Sequence, residues 1–409
     1  MKFSAVADIE RRGYFYLCGF ALASCLSMAV ANIFLGLAAA ATLHRWFRER
    51  PRFPRFLEIV GRPVVFLYLA LFAAELLSMV GGLDPAAGWK RLGNHDIVWP
   101  SVLLATLVCV HERHQVIRLA ELLVLSLVLN DLYALWQSAQ AGGQMGRFSG
   151  GMFYMAYGTA LLTALPLLLM YMIRGRDRVR RWLAAGAFFL SLVGLFLNGT
   201  RTVWVMVLPL CALAAFLCTR YKWKCVVGVL AGAAVFCELF SVSPSVHARV
   251  MSIVQMDADY SMQERQHFVW ASAQRMFDDH PLTGIGYGSF SKAYHETYIL
   301  PGAREPWLQH AHSNLMQELS ECGILGITAF VALWLVFSVQ AAYRWWKTGQ
   351  DVYLVLLFAW NAIMLHGLTE YTWDRSITMK MFWMIYGLAY VWIARHSETC
   401  LRTFHDAKK

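Results

Sequence analysis

Three short stretches bring together residue types suited to an anionic substrate. NGTRTVW, Asn198 to Trp204, carries Arg201 in a tight turn between two long apolar runs. RQHFVW opens on Arg265, and QHAHSNLMQELSECGILG, Gln309 to Gly326, carries His310 and His312 just ahead of an apolar helix. A guanidinium is a rigid fork of donors that matches phosphate oxygens two at a time. An imidazole takes up and returns a proton near neutral pH. Two arginines and a histidine are therefore the parts needed to hold a phosphorylated leaving group and to activate a nucleophile.

Each residue also has a plainer role. Arg201 can be an interfacial anchor that snorkels to lipid headgroups. Arg265 can be a surface charge partnered by Glu264 or Asp259. His310 and His312 can bind a metal, but no acidic or cysteine ligand stands at a diagnostic spacing nearby. A general base is the better reading, and no metal or other cofactor is expected. Arg147, in GRFSGG, is a further arginine beside a helix start, either an anchor or an aid to substrate binding. Asn314 with Gln317 resembles a capping box, with Leu315, Leu319 and Cys322 as the buried stripe of the helix it opens. The N–H groups at such a helix start favour anions beside His312. GIGYG, Gly284 to Gly288, follows a helix stop rather than a strand, so it reads as a turn and not as a nucleotide loop.

The scaffold that must position these groups is membrane-embedded. The chain has 409 residues, 58% hydrophobic and 15% charged, against about 25% charged in soluble domains. Apolar segments near 13–27, 29–43, 63–80, 97–110, 119–137, 152–173, 182–199, 202–219, 224–240, 319–338, 351–369 and 379–394 predict an all-α polytopic membrane protein of about twelve transmembrane helices. The run 13–43 has basic residues on both flanks, so it crosses twice, as two short helices. Alternating the loops puts 25 of the 36 Lys and Arg on one side and leaves 11 on the other. The richer side is cytoplasmic and holds both termini. Arg147, Arg201 and residues 241–311 then lie outside. The net charge of +10 is absorbed by this asymmetry, so nucleic acid is not an expected partner. Arg11 and Arg12 precede an apolar run without a cleavage site, so no cleaved signal peptide is expected. Nine cysteines form no C-x-x-C pair, which argues against a disulfide framework or a zinc site.

Residues 241–311 make a connection long enough to suggest function. Val269, Trp270, Ala273, Met276 and Phe277 form one helical stripe, which DHPLTG ends. The predicted organisation is a nine-helix region over 1–240, a large outer loop over 241–311, and a three-helix region with a cytoplasmic tail over 312–409.

The stretches NGTRTVW, RQHFVWASAQRMFDDHPLTGIGYGSF and HAHSNLMQELSECGILG resemble the O-antigen ligase and polymerase superfamily. The resemblance extends to the whole architecture, with one long loop after the ninth helix. It implies a membrane glycosyltransferase of the GT-C type with a periplasmic catalytic face in the bacterial inner membrane. It also implies that Arg201 and Arg265 bind the donor diphosphate and that His312 is essential to transfer. Spacing back from Gly323 selects His312 rather than His310. In the family an asparagine often follows this histidine; here Ser313 does, with Asn314 one residue later.

The implied reaction moves a glycan from undecaprenyl diphosphate to lipid A–core with inversion at the anomeric carbon. Outside the inner membrane there is no nucleotide-sugar pool, so the donor must carry its leaving group on a lipid. No D-x-D-like pair stands in the outer loops to hold a metal on that diphosphate, and arginines can neutralise it instead. The nearest alternatives are an O-antigen polymerase, which extends a second lipid-linked repeat, and a protein O-oligosaccharyltransferase, which is weakened because no large extra C-terminal domain for binding protein acceptors is expected here. A lipid-linked-sugar transporter needs charged residues along an intramembrane path, and the helices offer few, such as Glu75, Asp131 and Glu238.

Overall fold

In the computed structural model, residues 2–49, 61–142, 147–242, 247, 250–251 and 263–406 are described. Arg249 and Asp259 lie outside the described residues. The elements are α-helices α1 (Lys2–Ala23), α2 (Met28–Glu49), α3 (Arg62–Met79), α4 (Pro85–Leu92), α5 (Ser101–Cys109), α6 (Arg113–Gln140), α7 (Tyr154–Arg174), α8 (Arg178–Asn198), α9 (Arg201–Cys218) and α10 (Lys222–Val242). After the long connection come α11 (Ala271–Asp279), α12 (Phe290–Ala293), α13 (Asn314–Thr348), α14 (Val352–His366) and α15 (Ser376–Asp406). Three π-helical turns, Gly93–Ile97, Glu264–Trp270 and Tyr294–Tyr298, are interleaved. No strand occurs among the described residues.

Every predicted apolar segment is helical. Eight described helices are long and apolar enough to cross a membrane by length and composition. They project large apolar side chains outward: on α9, Val205, Leu208, Leu213 and Phe216 are exposed. Such a surface is unstable in water and suits lipid. The segment predicted at 97–110 is built differently. α5 starts only after Pro100 and has 9 residues, about 14 Å of rise, too short to cross alone. α4 and the π turn Gly93–Ile97 precede it, so the chain runs helically from Pro85 to Cys109 with a break at 98–100. α14 has 15 residues, fewer than its predicted span.

Loops assigned to one side find one another. Arg45 pairs with Glu10 and donates to the Val108 carbonyl, and Arg174 pairs with Asp351 and donates to the Cys218 carbonyl. Those groups all belong to predicted cytoplasmic ends. The predicted outer ends meet at the opposite end of the bundle, as detailed below.

The outer connection docks by entering a helix. α13 is interrupted at Gly323, whose φ of 60° and ψ of −155° are not helical. The break frees backbone groups that need partners, and the segment Pro281–Gly286 supplies them. Ile324 N–H donates to Pro281 O at 2.9 Å, Ile285 N–H to Ser320 O at 3.0 Å, and Gly286 N–H to Glu321 O at 3.1 Å. The fit has no spare volume: a Cβ on Gly284, whose φ is 68°, would lie 2.3 Å from the Glu321 carbonyl carbon. This explains why PLTGIG and ECG occur in one chain, and why GIGYG is a turn. The Val269, Ala273 and Met276 stripe is fully buried against Ile285, Phe290 and Tyr294. Gly284→Ala should therefore lower the melting temperature in detergent. Left-handed backbone alone costs about 1–2 kcal/mol for a non-glycine residue, and the clash adds to that. Gly36→Ala, in open space on α2, is the control; equal melting temperatures for the two variants would refute the docking.

Candidate functional site

Four predicted outer segments converge on the turn between α14 and α15, residues 367–375. Thr369 is the junction. Its hydroxyl lies 2.5 Å from the hydroxyl of Thr202, the second residue of α9, and its carbonyl accepts from Arg265 Nη1 at 2.6 Å. Arg201 is the first residue of α9, partly buried, behind Thr200 and the left-handed Gly199 that ends α8. Asn198 Nδ2 donates to Tyr154 O, and Phe148 N–H donates to Leu197 O. These bonds bring residues 147–154 alongside, where the Arg147 guanidinium lies 4.9 Å from the centre of the Tyr154 ring.

At the centre is Glu370, 1% exposed, a residue the sequence reading did not single out. Its Oε1 accepts from Arg375 Nη2 at 2.6 Å. Its Oε2 lies 3.6 Å from Arg265 Nη2 and 3.5 Å from His312 Nδ1. Burial works against the carboxylate, but His312, Arg375 and His310 outweigh it and hold its pKa below the ordinary range. Glu370 is thus an anion faced by two guanidinium groups and an imidazole from three elements, the arrangement that makes a buried charge tolerable. Of the anticipated partners of Arg265, Glu264 instead turns inward and accepts the Arg304 N–H at 2.8 Å. Burial, ahead of every other influence, lowers the pKa of Arg265; Glu370 opposes this, while the charges of Arg201 and Arg147 add to it. The charges of Arg147 and Arg201 thus act on Arg265, and the three form one basic cluster.

His312 is the only described non-glycine residue with positive φ, at 51°. Such a conformation costs energy and persists only where the surroundings impose it. Here the chain must reverse between Ala311, whose N–H is held by Gln317 Oε1 at 2.7 Å, and α13. The true N-cap is Ser313, whose Oγ accepts the Met316 N–H at 3.4 Å. The predicted capping box at Asn314 and Gln317 is therefore not formed: the cap falls one residue earlier, on Ser313, and Gln317 holds the Ala311 N–H. Asn314 bridges instead to the 367–375 turn, donating to Thr372 Oγ1 at 2.9 Å and accepting from Trp373 N–H at 3.1 Å. The predicted stripe changes too: Asn314, Gln317, Glu318 and Glu321 are buried, while Leu315 and Leu319 are only partly so. The helix start offers less to an anion than expected, since Asn314 N–H is taken by Gly367 O and Met316 N–H by Ser313 Oγ.

His310 lies edge-on to His312, with 4.4 Å between ring centroids. Its Nδ1 receives the His312 N–H at 3.3 Å, and its Nε2 faces Arg375 Nη2 at 3.4 Å. Burial first, and the neighbouring His312 second, push its pKa down to about 3, so it is neutral at pH 7. His310, His312 and Glu370 each present a ligand atom within 4.8 Å of the others. The acidic ligand missing from the sequence spacing is thus present in space. Yet two guanidinium groups, Arg265 and Arg375, already occupy the Glu370 carboxylate, and their charges repel a cation.

Asp131, the interior acid of α6, is enclosed and satisfied. Tyr157 donates to it at 2.6 Å and Ser191 at 2.7 Å, which joins α6, α7 and α8 rather than lining a path.

Fold and site together define an all-α polytopic membrane protein with an arginine- and histidine-rich centre at one end of its bundle. Residues 186–331, a little over a third of the chain, match the O-antigen ligase family. That match supports membership of the O-antigen ligase/polymerase superfamily. It supports an O-antigen ligase- or polymerase-type function in lipopolysaccharide biosynthesis, with lipid-linked glycan substrates in a bacterial membrane. The matched stretch contains Arg201, Arg265 and His312; Arg147, Glu370 and Arg375 lie outside it. No curated protein matches the chain.

Proposed function

We propose that the protein is an inverting glycosyltransferase that moves O-antigen glycan from undecaprenyl diphosphate to lipid A–core on the periplasmic face of the inner membrane. The observation that carries this reading is the meeting of Arg265 and His312 on the single carboxylate of Glu370, beside Arg201. In the reaction, an acceptor-sugar hydroxyl oxygen attacks the anomeric carbon. The bond from that carbon to the diphosphate oxygen breaks, and its electron pair leaves with the diphosphate. Arg201 and Arg265, with Arg147 nearby, neutralise the charge that develops there. His312 takes the hydroxyl proton. With Nδ1 set against Glu370, Nε2 is the nitrogen presented to the acceptor, and the carboxylate stabilises the imidazolium that forms. No metal is required by this scheme. The twelve-crossing topology, with 1–240 and 312–409 flanking an outer loop at 241–311, belongs to the same proposal.

Reconstitution of the purified protein with lipid-linked glycan and lipid A–core should give glycan on lipid A–core, and EDTA should leave the rate unchanged. Lengthened lipid-linked chains in the absence of lipid A–core would establish a polymerase instead. Loss of transfer on chelation, with rescue by a divalent ion, would replace the arginine clamp by a metal at His310, His312 and Glu370. Passage of lipid-linked glycan across the vesicle membrane without any new glycosidic bond would establish a transporter.

A further inference from the structure

The outer cluster has a second flank that diphosphate binding does not use. His95 Nε2 lies 2.9 Å from Asp374 Oδ1. His95 stands on the π turn Gly93–Ile97 and stacks on Trp99, with ring centroids 4.1 Å apart and planes 17° apart. The buried Trp99 fixes that ring, and the His95 Nδ1 has no hydrogen-bond partner. Behind the pair is Arg91. Its Nη1 donates to Glu321 Oε2 at 2.6 Å, and its guanidinium lies 4.3 Å from the Tyr287 ring centre and 4.9 Å from that of Tyr371. Arg91 Nε and Nη2 and the Tyr371 hydroxyl are buried without hydrogen-bond partners. Unmatched buried polar atoms are uncommon and call for an explanation. π-Helical turns are also rare and favour functional sites; the one at Glu264–Trp270 carries Arg265.

The contacts give this flank a position. They run from Arg265 to Glu370, on to Arg375 and His310, and Asp374 and His95 begin one residue before Arg375. The basic cluster meets Glu370 through Arg265, and the His95–Asp374 pair adjoins the same centre through Arg375 and His310. In a direct displacement the nucleophile and the leaving group reach the anomeric carbon from different directions. If the diphosphate is held by Arg201 and Arg265, the His95–Asp374 pair is a separate group of donors and acceptors left for the sugar that supplies the nucleophile. The chemistry agrees. Burial acts against the Asp374 carboxylate, but its bond to His95 and the charge of Arg91 keep its pKa low, so it is ionised at pH 7. An ionised carboxylate with 31% of its side chain exposed repels phosphate and accepts hydroxyl protons well. The unmatched His95 Nδ1, Arg91 Nε and Nη2 and Tyr371 hydroxyl add donors and acceptors on the same flank. Hydroxyls both donate and accept, so a polyhydroxylated ring can satisfy this mixture.

We propose that His95 and Asp374, backed by Arg91 and Tyr371, form the subsite for the acceptor sugar. The proposal rests on the glycosyl-transfer reading above and adds a binding locus to it. The test is the reconstituted transfer assay with lipid A–core varied at saturating donor, and then donor varied at saturating lipid A–core. Asp374→Asn and His95→Gln should each raise the KM for lipid A–core about tenfold or more. The KM for the lipid-linked donor should stay within twofold, and Asp374→Glu should recover part of the loss. Calorimetric titration of core oligosaccharide into donor-free protein should show the same weakening. Should Asp374→Asn fail to fold, His95→Gln reaches the same ligand from a different element and carries the test. An unchanged acceptor KM and unchanged oligosaccharide binding in variants that elute like the parent would overturn the subsite, as would an equal rise in donor KM. Failure of the parent protein to transfer at all sinks the glycosyl-transfer reading, a result distinct from either.

Discussion

Replacing His312 by alanine should cut the transfer rate by roughly 10²–10⁴-fold, the usual loss on removing a general base, while donor binding stays near normal. Alanine alone would not separate chemistry from structure, because position 312 holds a left-handed backbone with φ of 51°. Asparagine tolerates that conformation better than most residues. His312→Asn should therefore fold and melt like the parent protein and still fail in transfer. His312→Gly should relieve the backbone strain and fail equally. Single-turnover transfer measured beside binding of the lipid diphosphate distinguishes the cases. Transfer by His312→Asn within tenfold of the parent would show that the position matters for its backbone turn and that another group accepts the proton. His310 is a poor substitute, since its burial disfavours the imidazolium and Arg375 faces its Nε2.

What the sequence shows about this centre, and what it hides, follows from how each residue is held. Arg201, Arg265 and His312 are legible because each sits at the start of a helical element, where a change in apolar periodicity marks a boundary. Glu370, Arg375 and Asp374 are not, because LTEYTWDRS lies between two helices with no periodicity. Nothing in that stretch shows that Glu370 will be buried under arginines from the π turn Glu264–Trp270 and its own loop and under the imidazole of His312. Asn314 misleads for a related reason. It has the right spacing to Gln317 for a cap, but Thr372 and Trp373, reachable only in the folded chain, claim its side chain, and Ser313 caps instead. The first turns of α13 bury a polar face because they pack against ionic loops rather than lipid, which hydrophobic patterning cannot anticipate. The Asp84–Ser289 contact likewise ties the start of α4 to the outer connection, the Arg91–Glu321 contact ties α4 to α13, and no local signal marks either.

Arg201→Lys keeps the charge at the start of α9 but loses the planar fork, so it should remain impaired. Arg201→Ala should lose roughly 10²–10³-fold in rate, the range for removing one donor that stabilises developing charge, and should bind lipid diphosphate more weakly. Arg265→Ala should reach the same range by a compound route. Arg265 meets Glu370 Oε2 and the Thr369 carbonyl, so its loss also removes one counter-charge from the carboxylate that faces His312. The signatures should differ accordingly. Arg201→Ala weakens donor binding with the proton transfer intact, whereas Arg265→Ala weakens both donor binding and the step limited by His312. The double variant should lose less than the product of the single losses, because both groups act on one departing diphosphate. Donor titration and single-turnover rates on the four proteins provide the comparison. Near-normal transfer by Arg201→Ala would mean that the turn between α8 and α9 carries its arginine as a membrane anchor, and that the diphosphate is held by Arg265 alone.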